Sequence, residues 1–262
     1  MVTFSRYVAL GDSFTEGVGD PDPTLPNGVR GWADRFAAAL DRAQGGGLSY
    51  ANLAIRGRKL GPIVAEQLDA AIALQPDLVT IYAGANDIMR PKVDLDAILA
   101  AYDGAVARLV ASGAHVVVFT PADPGDTRIY ALVRARFERY CAAVRDIAQR
   151  HGATLVDYWH LTEYRDARLW DTDRMHMSAA GHQRMAIAVL DALGVQHDLV
   201  PLVLADPAPL TLVERIRVNV RWAIEYLGPW IKRRVTGRSS GDGLEPRYGA
   251  LIPVAGLSDS AA

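Results

Sequence analysis

The chain has 262 residues, half of them hydrophobic and 22% charged, with a formal net charge of −2. That composition suits one large buried core and leaves no electrostatic footprint for nucleic acid. The single cysteine, Cys141, excludes an internal disulfide, and no run approaches the roughly 18 apolar residues needed to cross a bilayer. Cys141 sits within a helical pattern and reads as a buried structural thiol. The first apolar run begins within a few residues of Met1, with no basic segment and apolar leader before it. No signal peptide is read, and a cytoplasmic location is expected.

In chain order, short β-type runs alternate with longer helical patterns. Residues 4–10 form the first predicted strand and 32–41 the first long helix. A strand at 48–52 and a helix at 63–74 follow, then a strand at 78–83 and a helix at 95–112. Strands at 115–120 and 154–157 flank a helix at 129–151, whose apolar residues Phe137, Tyr140, Cys141, Val144 and Ile147 recur at helical spacing. Strictly alternating elements predict parallel strands joined by crossover helices and covered on both faces. An aromatic-rich stretch at 158–177 precedes one more helix, with Ser178 as its N-cap and Gly194 just past its end.

In an open α/β sheet, ligands gather beyond the carboxyl ends of the strands. Ser13 follows the first strand in Gly-Asp-Ser-Phe, Gly57 lies past the second and Asn86 past the third. Asp173 and His176 lie in the loop after the fifth. Together they offer a hydroxyl nucleophile, a base, a carboxylate to orient that base, and donors for a developing oxyanion. Histidine titrates near neutral pH, and an aspartate three residues away can hold its second ring nitrogen from the same turn. Each residue also has an ordinary use: a turn serine, a turn glycine, an Asx-turn asparagine and a solvated Asp–His pair. Asp12 and Asp87 read as structural carboxylates that bond nearby loop backbone. His115, His151, His160, His182 and His197 lie at segment edges or face elsewhere and are not read as the base.

The blocks Gly-Asp-Ser-Phe-Thr-Glu-Gly (11–17), Asn-Leu-Ala-Ile-Arg-Gly (52–57), Gly-Ala-Asn-Asp (84–87) and Asp-Arg-Met-His (173–176) resemble, in order and spacing, those of the SGNH/GDSL hydrolases. Phe14 stands where the family name has leucine. The resemblance covers residues 3–193 and implies an α/β fold. This would be a three-layer α/β/α sandwich around a flavodoxin-like, parallel, five-stranded sheet of order 2-1-3-4-5. It implies Ser13 as nucleophile, His176 as base and Asp173 as its partner, with the Ser13 N–H, the Gly57 N–H and the Asn86 amide as the oxyanion hole. It further implies hydrolysis of carboxylic esters through an acyl-enzyme, with no cofactor and no metal. Two rival readings are a metal-dependent phosphoesterase and a non-catalytic carbohydrate- or lipid-binding module on the same fold. The first needs more histidine ligands than these blocks hold; the second leaves a full catalytic set unused. Loops 19–31, 90–94, 122–130 and 159–172 are expected to set selectivity. Trp159, Tyr164 and Trp170 would either line an acyl or sugar site or simply pack.

Residues 1–195 are read as the hydrolase domain and 196–262 as a C-terminal extension. A Pro-containing linker leads into a basic amphipathic helix at about 210–235, followed by a flexible Gly/Ser/Pro-rich tail. Such a helix, with Trp222 and Trp230, either contacts a membrane surface peripherally or docks its apolar face on the domain or a partner subunit.

Overall fold

A computed structural model describes residues 3–90, 92–123, 125, 128–206 and 209–257. Its sheet holds β1 (Arg6–Leu10), β2 (Ser49–Asn52), β3 (Leu78–Ile81), β4 (His115–Phe119), β5 (Thr154–Val156) and β6 (Tyr248–Pro253), ordered β5-β4-β3-β1-β2-β6. The first five are parallel and run in the order that the family resemblance implies. Side chains alternate across them, so Tyr7, Ala9, Leu78, Val117 and Phe119 enter one core while Val8, Leu10, Val79, Val116 and Val118 enter the other. Helices Trp32–Gln44 and Ala179–Ala192 cover the first face. The second is covered by the 60–73 helical run, Leu95–Ala111 and Arg128–His151. Ser178 caps its helix by accepting from Gly181 N. The Cys141 thiol is buried and pushed up to about 12 by that burial, as suits a packing residue.

The sixth strand corrects the expectation of a five-stranded sheet and a flexible tail. β6 pairs antiparallel with β2, Tyr50 opposite Ile252 and Asn52 opposite Tyr248, with an irregularity between the two pairs. Arg247, the residue before it, is anchored inside the protein. Its guanidinium donates to both carboxylate oxygens of Asp34, at 3.0 and 2.7 Å, and to the carbonyls of Glu16, Arg30 and Pro26. Arg247 is 5% and Asp34 1% exposed, so this ion pair is cut off from water. The tail is therefore held by a buried charge pair and by an otherwise unpaired sheet edge, two attachments that need distant partners rather than local pattern.

His182 shows how the helix Ala179–Ala192 is fixed to the first loop. It is fully buried, its Nδ1 accepts from Trp32 N at 3.0 Å, and its Nε2 faces Val18 O at 3.1 Å. Those partners require the neutral ring with its proton on Nε2. Burial pushes its pKa from 6.5 down to about 4. Above pH 6.5 neither folded nor unfolded histidine is charged; between 6.5 and about 4 only the unfolded state takes the proton, so stability falls on acidification. Relative to wild type, His182→Gln should show a stability–pH profile flatter by about 1.4 kcal/mol per pH unit across this window. Urea unfolding at several pH values measures the difference; parallel profiles would show a histidine that protonates freely in the fold.

Candidate active site

The carboxyl ends of β1, β2, β3 and β5 carry the four blocks to one edge of the sheet, as the strand order requires. Asp12 caps the one-turn helix Ser13–Glu16 by accepting from Phe14 N, which places Ser13 at the helix start. Phe14 locks the turn below: its ring packs against Trp32, Tyr82, Phe119 and Tyr158. Ser13 itself is half-buried, and among the described residues its hydroxyl has no hydrogen-bond partner.

Asp173 and His176 meet. His176 Nδ1 lies 2.5 Å from Asp173 Oδ2, while Asp173 Oδ1 accepts from Met175 N and His176 N. Burial pushes the Asp173 carboxyl up, but the His176 ring and these amides outweigh it and hold the group below its ordinary range. The ring is thus oriented through Nδ1, leaving Nε2 as the nitrogen free to exchange protons with a ligand. The His176 segment borders the first loop: a Cβ on Gly19 would strike Met177 O and crowd His176 Cβ. Asp12, next to Ser13, feels the charge of His176.

One oxyanion candidate, Asn86, is tied to Asp12, the residue before Ser13. Among the described residues, neither the Ser13 N–H nor the Gly57 N–H meets an acceptor. Gly57 adopts φ 77°, a conformation glycine accepts readily, and a Cβ there would collide with Ser239 Oγ. Asn86 Nδ2 donates to Asp12 Oδ2 at 2.8 Å and to Arg58 O at 3.1 Å, tying its block to the first and to the residue just past the second. Asp12 is buried, and that burial pushes its carboxyl up to about 7. Asp87 accepts from Leu60 N, so both carboxylates are structural as the sequence suggested, but they bond amides at helix starts rather than in loops.

Two supports escaped the sequence reading. Glu16, fully buried, accepts from Arg56 N and from the Arg56 guanidinium, which fixes the loop leading to Gly57. From the C-terminal extension, Ser239 Oγ donates to Arg56 O at 3.2 Å. That carbonyl and the Gly57 N–H belong to one planar peptide, so holding the first aims the second. The helical run 212–235 braces the other side. Trp222 Nε1 donates to Asp173 O at 2.9 Å, Arg174 donates to Asn219 Oδ1 and stacks over the Trp222 ring, and Thr172 meets the Tyr226 hydroxyl. Glu16 and Arg56 stood in the blocks already quoted; Trp222 and Ser239 carry no local signal.

The aromatic residues sort toward packing. Tyr164 is buried, donates to Gly181 O and crosses Tyr158 edge-on, and Trp170 Nε1 donates to Tyr164 O. Trp159 lies under the Arg134 guanidinium. The loops 90–94 and 122–130 include residues 91, 124, 126 and 127, which lie outside the described residues. Among the described residues no three His, Cys, Asp or Glu side chains gather as a metal site would need, and no helix is long and apolar enough to cross a membrane.

A family model, the GDSL-like lipase/acylhydrolase family, matches residues 9–184. No curated protein matches the chain. Among solved structures, the acetylxylan esterase Axe2 from Geobacillus stearothermophilus aligns with TM-score 0.61 at 24% identity, over 74% of this chain and 96% of its own. LAE5, an alpha/beta hydrolase enzyme from the metagenome of Lake Arreo, Spain, aligns with TM-score 0.59 at 27% identity, over 74% and 97%. TesA aligns with TM-score 0.58 at 21% identity, over 72% and 97%.

Proposed function

Since the chain belongs to the GDSL-like lipase/acylhydrolase family and is an ester hydrolase of SGNH type, we propose that it cleaves carboxylic esters through an acyl-enzyme on Ser13. The observation that carries this reading is the oriented imidazole: His176 bonded at 2.5 Å to a buried Asp173, in a loop beyond the carboxyl ends of the strands, the edge where Ser13 follows β1. In the first half-reaction Ser13 Oγ attacks the ester carbonyl as His176 Nε2 takes its proton. The electron pair pushed onto the carbonyl oxygen is received by the Ser13 and Gly57 N–H groups and by the Asn86 amide, which exchanges its bond to Asp12 for one to the oxyanion. Collapse expels the alkoxide, which leaves as alcohol with the proton from His176. Water, deprotonated by the same nitrogen, then attacks the acyl carbon; the bond to Ser13 Oγ breaks, the carboxylic acid leaves, and His176 returns the proton to Ser13. Asp173 stays ionised throughout and stabilises the imidazolium, the role its lowered pKa suits.

An alkyl fluorophosphonate tests the nucleophile directly. It should phosphonylate the peptide containing Ser13 with loss of fluoride, seen as a single mass increment that is absent in Ser13→Ala. Labelling of a different serine would refute the assignment. Asn86→Ala should lower kcat by roughly 10²–10³-fold with little change in KM. A loss confined to KM would make Asn86 a ground-state binder. A chain-length series of aryl esters, with an acetylated sugar among them, separates short-acyl deacetylation from a lipase-like preference.

A further inference from the structure

The basic helix of the extension lies on the protein with the wrong face out. Leu212–Trp222 continues through a turn at Ala223–Leu227 into Gly228–Val235 as one helical run. Its contacts with the His176 loop are made by Asn219, Trp222 and Tyr226. The apolar stripe Val213, Ile216, Val220 and Ile224 points the other way, with exposures of 57, 54, 54 and 70%. Ile231 and Val235 prolong it, and Leu202, Val203 and Leu210 of the preceding linker add apolar surface. The expectation that the apolar face docks on the domain therefore fails within this chain. Isolated exposed aliphatic residues are ordinary, whereas a stripe this long marks an interaction site.

We propose that this face docks on an anionic lipid surface. Between Val213 and Arg238 seven basic residues stand against two acidic ones, in a chain whose net charge is −2. The positive charge is thus concentrated on this segment. Arg217 and Arg221 flank Ile216, Val220 and Ile224 and line one shallow hollow with them and with Glu225, to which Arg221 donates at 2.8 Å, so a net positive rim borders the apolar stripe as an interfacial helix requires. A second copy fits less well, because two such segments brought together each carry seven basic residues against two acidic ones. Docking would bring the acid–base loop, braced by Trp222 on the helix's inner side, close to the headgroups.

Co-sedimentation of the full chain with vesicles tests this without reference to hydrolysis. Vesicles of phosphatidylcholine with 30% phosphatidylglycerol should carry the protein down at low salt, and vesicles of phosphatidylcholine alone should not. Arg217→Gln with Arg221→Gln should weaken partitioning about 30-fold, the effect of removing two charges near such a surface. Ile216→Ser with Ile224→Ser should weaken it at least about tenfold. These side chains are exposed, so unchanged far-UV circular dichroism and melting are expected for both variants. Three results would overturn the proposal: no association with anionic vesicles, association that neither pair alters, or a dimer in solution that Ile216→Ser/Ile224→Ser dissolves.

Discussion

Ser13→Ala and His176→Ala should each lower kcat by roughly three to six orders of magnitude, and Ser13→Ala should do so while leaving the unfolding midpoint nearly unchanged. The separation of the two effects follows from the structure. Among the described residues the Ser13 hydroxyl makes no hydrogen bond, so deleting it removes none from the folded state. Phe14, in the same turn, does the anchoring through its four aromatic neighbours. Loss of the hydroxyl leaves only what the N–H donors and binding can do for direct attack by water, and loss of the imidazole leaves an unassisted alcohol. Asp173→Asn should cost roughly 10⁴-fold, because an amide favours the wrong ring tautomer at Nδ1. Rates within tenfold of wild type in Ser13→Ala would remove the nucleophile from the mechanism, whatever the family.

Arg247→Ala should destabilise the fold by about 3–5 kcal/mol, the cost of leaving one partner of a buried ion pair unmatched. The variant strands the Asp34 carboxylate with the Tyr50 hydroxyl as its remaining side-chain donor, and it frees three loop carbonyls that Arg247 now satisfies. Against a typical total of about 5–15 kcal/mol the loss is large, and it should appear as a lower urea midpoint with the slope preserved. Adding Asp34→Asn to Arg247→Ala should recover part of it, since a neutral amide is cheaper to bury than a carboxylate. A loss below about 1 kcal/mol would mean that the carboxylate finds water, and that β6 does not seal this region in solution.

The two largest effects differ in how far the sequence foretold them. The blocks that hold Ser13, Gly57, Asn86, Asp173 and His176 were legible as a family pattern, because each is a short run of distinctive residues in fixed order, and the family match over residues 9–184 covers all four. The five parallel strands were legible for a similar reason, since each is a continuous apolar run between helical patterns. β6 was not. Tyr-Gly-Ala-Leu-Ile-Pro follows a Gly- and Ser-rich stretch, and its partner β2 lies near the other end of the chain. Arg247 looks like any surface arginine, and Asp34 like an acid in the first turn of a helix. Only their meeting, decided by tertiary packing, makes them a buried pair. The C-terminal helix failed differently: its amphipathic pattern was plain, but periodicity says which residues share a face and not which way that face turns.

β6 also has a bearing on biosynthesis. β2 emerges from the ribosome well before the strand that pairs with its outer edge. Until that strand follows, the edge exposes unpaired amides and carbonyls, the surface on which nascent chains join one another. Each molecule carries its own cover, pinned by one guanidinium, so the synthesis of β6 is also what shields this edge from neighbours.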